Sequence, residues 1–195
     1  MRIIPTPWPD RAIVVADLIT HEEWFTPDEL AIANEFKLAK RRDEWLLSRA
    51  AAKRWALQRG LCNDARSCNV ARPFLVIDGV ESEWHISLSH SSPYAGAAFA
   101  RDPIGIDVQV LRDFPDGAAH LFLTNDEETQ MRTCALPHRL LHFWCAKEAA
   151  WKKLGGAIPT LKQVPIQIER VGENSITFDI VETTLIDDVI VAITR

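Results

Sequence analysis

The sequence predicts an α+β protein made of two similar halves, and three observations carry the prediction. A capping box that opens a helix occurs in each half, at Thr26-Pro-Asp-Glu and at Thr124-Asn-Asp-Glu. Short runs rich in β-branched residues flank these helices and read as strands. The order of elements restarts near Asp102, with helices and strands before it and strand, helices and strands after it. We therefore divide the 195 residues into 1–102 and 103–195, with no flexible linker or low-complexity stretch between them. No repeat in the letters is strong enough to prove a duplication.

In the first half, Arg11–Leu18 (RAIVVADL) is short, β-branched and bracketed by proline and polar residues, so it reads as a strand. Thr20-His-Glu-Glu and Thr26-Pro-Asp-Glu both fit a capping box, the second with proline at the first helical position. They introduce a short helix and then a longer one from about Leu38 to Gly60. In the longer helix Trp45, Leu46, Ala50, Trp55 and Leu57 suggest a buried stripe. Arg41, Arg42, Arg49, Lys53, Arg54 and Arg59 decorate the remainder, either as a solvated face or as an anion-binding wall. Glu83–His90 (EWHISLSH) is a strand ending in a polar corner, Ser91-Ser92-Pro93 turns the chain, and Tyr94–Ala100 (YAGAAFA) returns. The small side chains of the return strand would let a backbone or a ligand approach closely.

The second half opens with Ile104–Val110 (IGIDVQV), which places Asp107 and Gln109 on one strand face and Ile104, Ile106, Val108 and Val110 on the other. Such a polar face means either solvent or a cation site. Thr124 with Glu127 opens a helix, and another runs from about Pro137 to Leu154 before the left-handed stop of Gly155-Gly156. Within it, FWCAKEAAWKKLGG (Phe143–Gly156) sets three charges in an apolar, aromatic run. Glu148 and Lys152, four residues apart, share a face, whereas Lys147 points elsewhere. The stretch is an amphipathic helix with one ion pair or the wall of a site. Val164–Glu169, Ser175–Val181 and Val189–Thr194 read as a three-stranded meander, with turns at Val171–Asn174 and around Asp187-Asp188.

Composition narrows the function. With 47% hydrophobic and 25% charged residues, this is a globular chain with a full core. A net charge of -5 leaves no overall positive field for nucleic-acid binding. No window is apolar enough to span a membrane, and prolines interrupt the N-terminal stretch where a signal peptide needs its apolar run. The expectation is a cytoplasmic chain whose cysteines (Cys62, Cys68, Cys134 and Cys145) are free thiols without zinc spacing. His138, His142 and Cys145 fall at helical spacing, but they read as two surface histidines and a buried thiol, since no partner set completes a tetrahedral site.

Asp107, Gln109 and Glu148 offer three hard oxygen donors, two of them ionised. Such a set suits Mg²⁺, commonly held by one or two carboxylates while substrate phosphates and water complete the octahedron. Basic residues of the first half, with Ser89 and His90, would suit the phosphates. IGIDVQ at Ile104–Gln109 and WCAKEAAWK at Trp144–Lys152 together resemble the signature pair of the 4′-phosphopantetheinyl transferase superfamily, GxDxE followed by WxxKEAxxK. SLSHS (Ser87–Ser91) resembles its serine-histidine motif, Arg72-Pro73 its basic-proline pair, and Leu46-Leu47-Ser48-Arg49 its basic helix. The matches run from about Arg42 to Thr160, and the length and two-half layout resemble the monomeric Sfp-like branch. Gln109 departs from the pattern, which often has Glu there.

The resemblance implies a two-lobed α+β pseudo-dimer, sufficient as a monomer, with coenzyme A in the cleft between lobes. The implied reaction moves phosphopantetheine from coenzyme A to a serine of an apo carrier protein, releasing adenosine 3′,5′-bisphosphate. Asp107 and Glu148 would hold Mg²⁺ at the pyrophosphate, with Gln109 or a water as a weaker ligand. Lys147 and Lys152 would lie near the pyrophosphate, and Glu148 and Lys152 would act in the chemistry. Arg72, with the backbone near Ser87–Ser89, would hold the nucleotide and His90 a phosphate, although a strand-end histidine can also simply cap a turn. Arg42 and Arg49 would meet the 3′-phosphate. Carriers are typically acidic, so a basic or apolar patch is expected on the second half. A non-catalytic relative that binds coenzyme A or carrier protein is the competing reading. Another Mg²⁺-dependent nucleotide enzyme is disfavoured by the absence of a GxxxxGK[ST] loop.

Overall fold

A computed structural model describes residues 1–16, 22–71, 73–114 and 117–195. The chain divides into two compact units, Met1–Pro103 and Ile104–Arg195.

The N-terminal unit begins with strands β1 (Arg2–Ile4) and β2 (Ala12–Ala16). Helix α1 (Pro27–Asn34) opens on the expected capping box: the Thr26 hydroxyl accepts from the Glu29 amide, and the Glu29 carboxylate accepts from the Thr26 amide. The first capping box, at Thr20, lies outside the described residues in part; a single 3₁₀ turn, Glu22–Trp24, follows it. Helix α2 (Ala39–Gln58) lays Ala51, Ala52 and Ala56 on the sheet, side chains small enough for close approach. Strands β3 (Cys68–Ala71), β4 (Phe74–Ile77), β5 (Val80–Ser91) and β6 (Tyr94–Ala100) complete the antiparallel sheet, in the order β1-β2-β6-β5-β4-β3. Trp55 of α2 stacks on Phe99 of β6 with ring centroids 3.7 Å apart, which anchors the helix over the sheet.

The C-terminal unit starts with β7 (Ile106–Val110) and continues through α3 (Ala119–Phe122), α4 (Asn125–Thr133) and α5 (Arg139–Lys153). Four strands follow: β8 (Ile168–Val171), β9 (Ser175–Phe178), β10 (Val181–Ile186) and β11 (Val189–Thr194). Their sheet order is β7-β11-β10-β9-β8, again antiparallel. Phe143 of α5 meets Phe178 of β9 edge-on at 5.0 Å, both fully buried. Burial of side chains this size contributes about 2–3 kcal/mol each. Gly155 and Gly156, at φ of 63° and 71°, stop the chain after α5 as the sequence suggests.

Leaving aside the edge strand β1 and the short α3, both units run strand, two helices, four strands, with the last strand beside the first. Several strands differ from expectation. The tail holds four strands rather than three. Val181–Ile186 (VETTLI) carries three polar residues in succession that hide its alternation, yet Val181 and Thr183 are buried. Val164 and Ile166 precede β8 as buried loop residues, and β3 and β4 lie in a stretch to which the sequence assigns no element.

Candidate active site

The site in the C-terminal unit depends on how near β7 comes to α5. A Cβ on Gly105 would lie 1.8 Å from the Ala149 carbonyl oxygen, so only glycine permits this approach. The Gly105 amide donates to the Thr194 hydroxyl at 2.9 Å, which fixes the start of β7 on β11. Two residues later Asp107, 2% exposed, meets α5. Lys152 donates to its Oδ1 at 2.7 Å and to the Ile106 carbonyl at 3.0 Å. The buried Cys145 thiol also donates to Asp107; burial first, and then the Asp107 charge, push that thiol well above its usual range.

Glu148 completes the cluster. Burial raises its pKa, the neighbouring Asp107 charge raises it further, and Lys152 opposes both. The sequence suggested an ion pair between Glu148 and Lys152, whereas Lys152 makes its direct salt bridge across to β7. Asp107 and Lys152 thus both lie close enough to act on the Glu148 carboxyl, the first disfavouring its charge and the second favouring it. Gln109 is half-buried, two residues beyond Asp107 along β7.

Among the described residues no three His, Cys, Asp or Glu side chains gather into a metal nest. A cation beside Asp107 would find two carboxylates, its own and that of Glu148, with Gln109 two residues further along β7. That set fits Mg²⁺, which binds through few protein ligands and keeps oxygens from water and substrate. A cation would also relieve the like-charge strain on Glu148.

Lys147 stands apart from this cluster. It is fully buried, its ammonium 2.7 Å from Glu127 Oε2 and donating to the Val164 carbonyl at 2.6 Å. Burial pulls it below the usual lysine range, and Glu127 opposes that shift. It was expected at a pyrophosphate, but its charge is spent inside the unit. Glu127 also closes the capping box of α4 through the Thr124 amide and accepts from the Ile166 amide at 3.2 Å. One buried pair thus ties α4, α5 and the approach to β8.

The N-terminal unit repeats the device. Lys53 of α2, also fully buried, lies 3.0 Å from Oε2 of Glu29, the residue that closes the box of α1, and donates to the Ala65 carbonyl at 2.9 Å and to the Cys68 carbonyl. The repeat is present in the letters once the lysines are superposed: Leu46-Leu47, Ala52-Lys53 and Ala56 recur as Leu140-Leu141, Ala146-Lys147 and Ala150. Arg54 then stands where Glu148 stands. His142, expected at the surface, is fully buried; its Nδ1 lies 2.8 Å from the Thr183 hydroxyl, and burial lowers its pKa to about 4.

The remaining expected residues lie in the N-terminal unit. Ser87 and Ser89 are buried on one face of β5, opposite Ala98 and Gly96 of β6. His90, at the end of β5, has its Nδ1 3.4 Å from Oε2 of Glu44, a buried acid of α2 that sequence reading did not single out. Arg49 lies 3.5 Å over the Trp45 ring and donates to the Trp45 carbonyl at 3.4 Å. Arg42 is engaged by Glu22 at 3.0 Å and by Asn34 at 3.3 Å. Arg72 lies outside the described residues.

Residues 103–193, a little under half of the chain, match the 4′-phosphopantetheinyl transferase superfamily. The superfamily match spans nearly the whole C-terminal unit, including Gly105, Asp107, Gln109, Glu148 and Lys152. It stops short of the N-terminal unit, whose likeness to the C-terminal one rests on topology and on the repeated ion pair. No curated protein matches the chain. No helix among the described residues is long and apolar enough to cross a membrane.

Proposed function

We propose that the protein transfers the 4′-phosphopantetheine group of coenzyme A to a serine of an apo acyl or peptidyl carrier protein. The observation that carries this reading is the convergence of Asp107, Glu148 and Lys152 within the segment that matches the superfamily. Phosphoryl transfer needs positioning and charge neutralisation more than covalent help, and this cluster offers both.

In the reaction the serine oxygen bonds to the phosphorus on the pantetheine side of the pyrophosphate. The bond from that phosphorus to the bridging oxygen breaks, and its electron pair leaves with adenosine 3′,5′-bisphosphate. The serine proton needs an acceptor. Glu148 is the acceptor, directly or through an intervening water, with a carboxylate oxygen that does not hold the cation. Lys152, held by Asp107, neutralises charge on the departing bisphosphate. Asp107 and Glu148 would hold Mg²⁺, with Gln109 a neutral and weaker third donor; when bound, the cation supplies charge neutralisation at the pyrophosphate. Lys147 works differently, orienting the α5 segment that carries Glu148. In the N-terminal unit Ser87, Ser89, His90 and Arg49 are the groups offered to the nucleotide and its phosphates, with Arg72 and Arg42 as further cations.

The test is incubation with coenzyme A, Mg²⁺ and a panel of apo carrier proteins of the fatty-acid, polyketide and nonribosomal-peptide types, read by intact mass. One carrier should gain a single phosphopantetheine, and adenosine 3′,5′-bisphosphate should appear in equal amount. If coenzyme A is bound but no carrier gains mass, a non-catalytic binding protein replaces the transferase.

A further inference from the structure

We infer that Cys145 is a positioning residue that fixes the Asp107 carboxylate for a divalent cation. This inference rests on the reading of Asp107 as a cation ligand given above. Along α5, Cys145, Glu148 and Lys152 follow one another at spacings of three and four, so they lie on one stripe of the helix. Ala149, whose carbonyl Gly105 approaches, borders that stripe, which is therefore the one turned to β7. Two of its side chains reach the same acid: the Cys145 thiol donates to Asp107, and the Lys152 ammonium lies 2.7 Å from Asp107 Oδ1. Glu148 stands between them on the stripe, and its carboxyl feels the charges of Asp107 and Lys152. Asp107 is thus held from α5 one turn before Glu148 and one turn after it.

A carboxylate gripped by one ammonium can still turn about its last side-chain bond, a torsion with broad minima. A second donor on the same helix removes that freedom, so Asp107 meets a cation in one orientation. Hydrogen bonds to a ligating carboxylate act in this way in metal sites generally, and their loss lowers metal affinity. The thiol suits the task for two reasons. Cys145 is completely buried, so water does not compete for its bond, whereas the Lys152 side chain is 23% exposed. A thiol is also a weak donor, which orients the carboxylate and leaves its charge for the cation. A second ammonium in that place would neutralise the acid. A buried cysteine otherwise serves as a small apolar side chain, and that packing role would need no acceptor opposite it.

The experiment uses the full chain as wild type, Cys145→Ala and Cys145→Ser. Mn²⁺ is the probe, and its binding in the presence of coenzyme A is followed by the electron paramagnetic resonance of the free ion. Infrared difference spectra of wild type against Cys145→Ser isolate the S–H stretch of Cys145. Cys145→Ala should weaken Mn²⁺ about fivefold and raise the Mg²⁺ needed for half-maximal turnover by a similar factor. The KM for coenzyme A at saturating Mg²⁺ should stay within about twofold. Cys145→Ser, which keeps a donor, should bind Mn²⁺ within about twofold of wild type. The S–H band should sit at the lowered frequency of a bonded thiol and rise when Mg²⁺ draws charge from Asp107. The serine protein and the infrared band decide the matter even where the alanine protein does not fold. Wild-type affinity in Cys145→Ala, a serine variant as impaired as alanine, or the band of an unbonded thiol overturns the inference and leaves the transferase reading intact. A wild type that binds no Mn²⁺ overturns the cation reading together with the inference.

Discussion

Lys147 and Lys152 are five residues apart on one helix and do opposite work, one sealed inside its unit and the other reaching toward β7 at the carboxylate pair. Neutralising either acid at the site should therefore be more damaging than trimming its amide neighbour. Asp107→Asn or Glu148→Gln is expected to lower kcat by about a hundredfold, with Gln109→Ala well below that, in turnover measured across a Mg²⁺ titration. Equal losses at all three positions would contradict the donor ranking. His142 supplies a pH signature. Its folded pKa of about 4 lies below its ordinary 6.5, so between these values the unfolded chain binds the extra proton. Stability is complete above about pH 6.5 and falls as the pH drops through about 4, by up to about 3 kcal/mol. Denaturant melts of wild type and His142→Gln compared at about pH 7.5 and about pH 4.5 should show the larger loss on acidification in wild type. At this scale the motif spacing of Asp107 and Glu148 is legible, Glu44 carries no mark in the sequence, and His142, read as a surface residue, is buried. Burial inverts the usual reading of a polar letter, and a polar letter on a helix carries no mark of which face it occupies.

Among elements, the contact of β7 with α5 decides whether the carboxylates meet. Gly105→Ala would drive a methyl group into the Ala149 carbonyl, and β7 or α5 must give way. The expected result is about 3 kcal/mol of lost stability together with a loss of transfer, measured on the same preparation. Retained activity would show that the strand can slide without parting Asp107 from Glu148. Lys147→Met strands the buried Glu127 charge, which costs about 3–5 kcal/mol, whereas Lys152→Ala, which strands the buried Asp107, should lower both Tm and turnover. Helix openings were legible because a capping box is local: Thr26 with Glu29 and Thr124 with Glu127 form as their letters indicate. Val181–Ile186 was not, because Glu182, Thr183 and Thr184 interrupt its pattern, and the ladders to β9 and β11 make it a strand.

For the molecule as a whole, two units of one topology account for the restart of elements near Asp102, which the sequence shows directly. The likeness of the two units was less legible residue by residue. The recurring letters are few, and they align only when Lys53 and Lys147 are known to do the same buried work. Lys53→Met should accordingly lower Tm much as Lys147→Met does, yet leave kcat within about threefold, because no carboxylate pair adjoins it. A larger fall in kcat than for Lys147→Met would mean that the two pairs are not equivalent. The twin pairs also bear on how such a protein could have arisen. Because each lysine is answered from within its own half, the next position in the helix is released from structural duty. One copy carries a cation there, Arg54, and the other an anion, Glu148. Equivalent helix positions can thus carry charges of opposite sign in the two units, with the same lysine–glutamate framework beneath each.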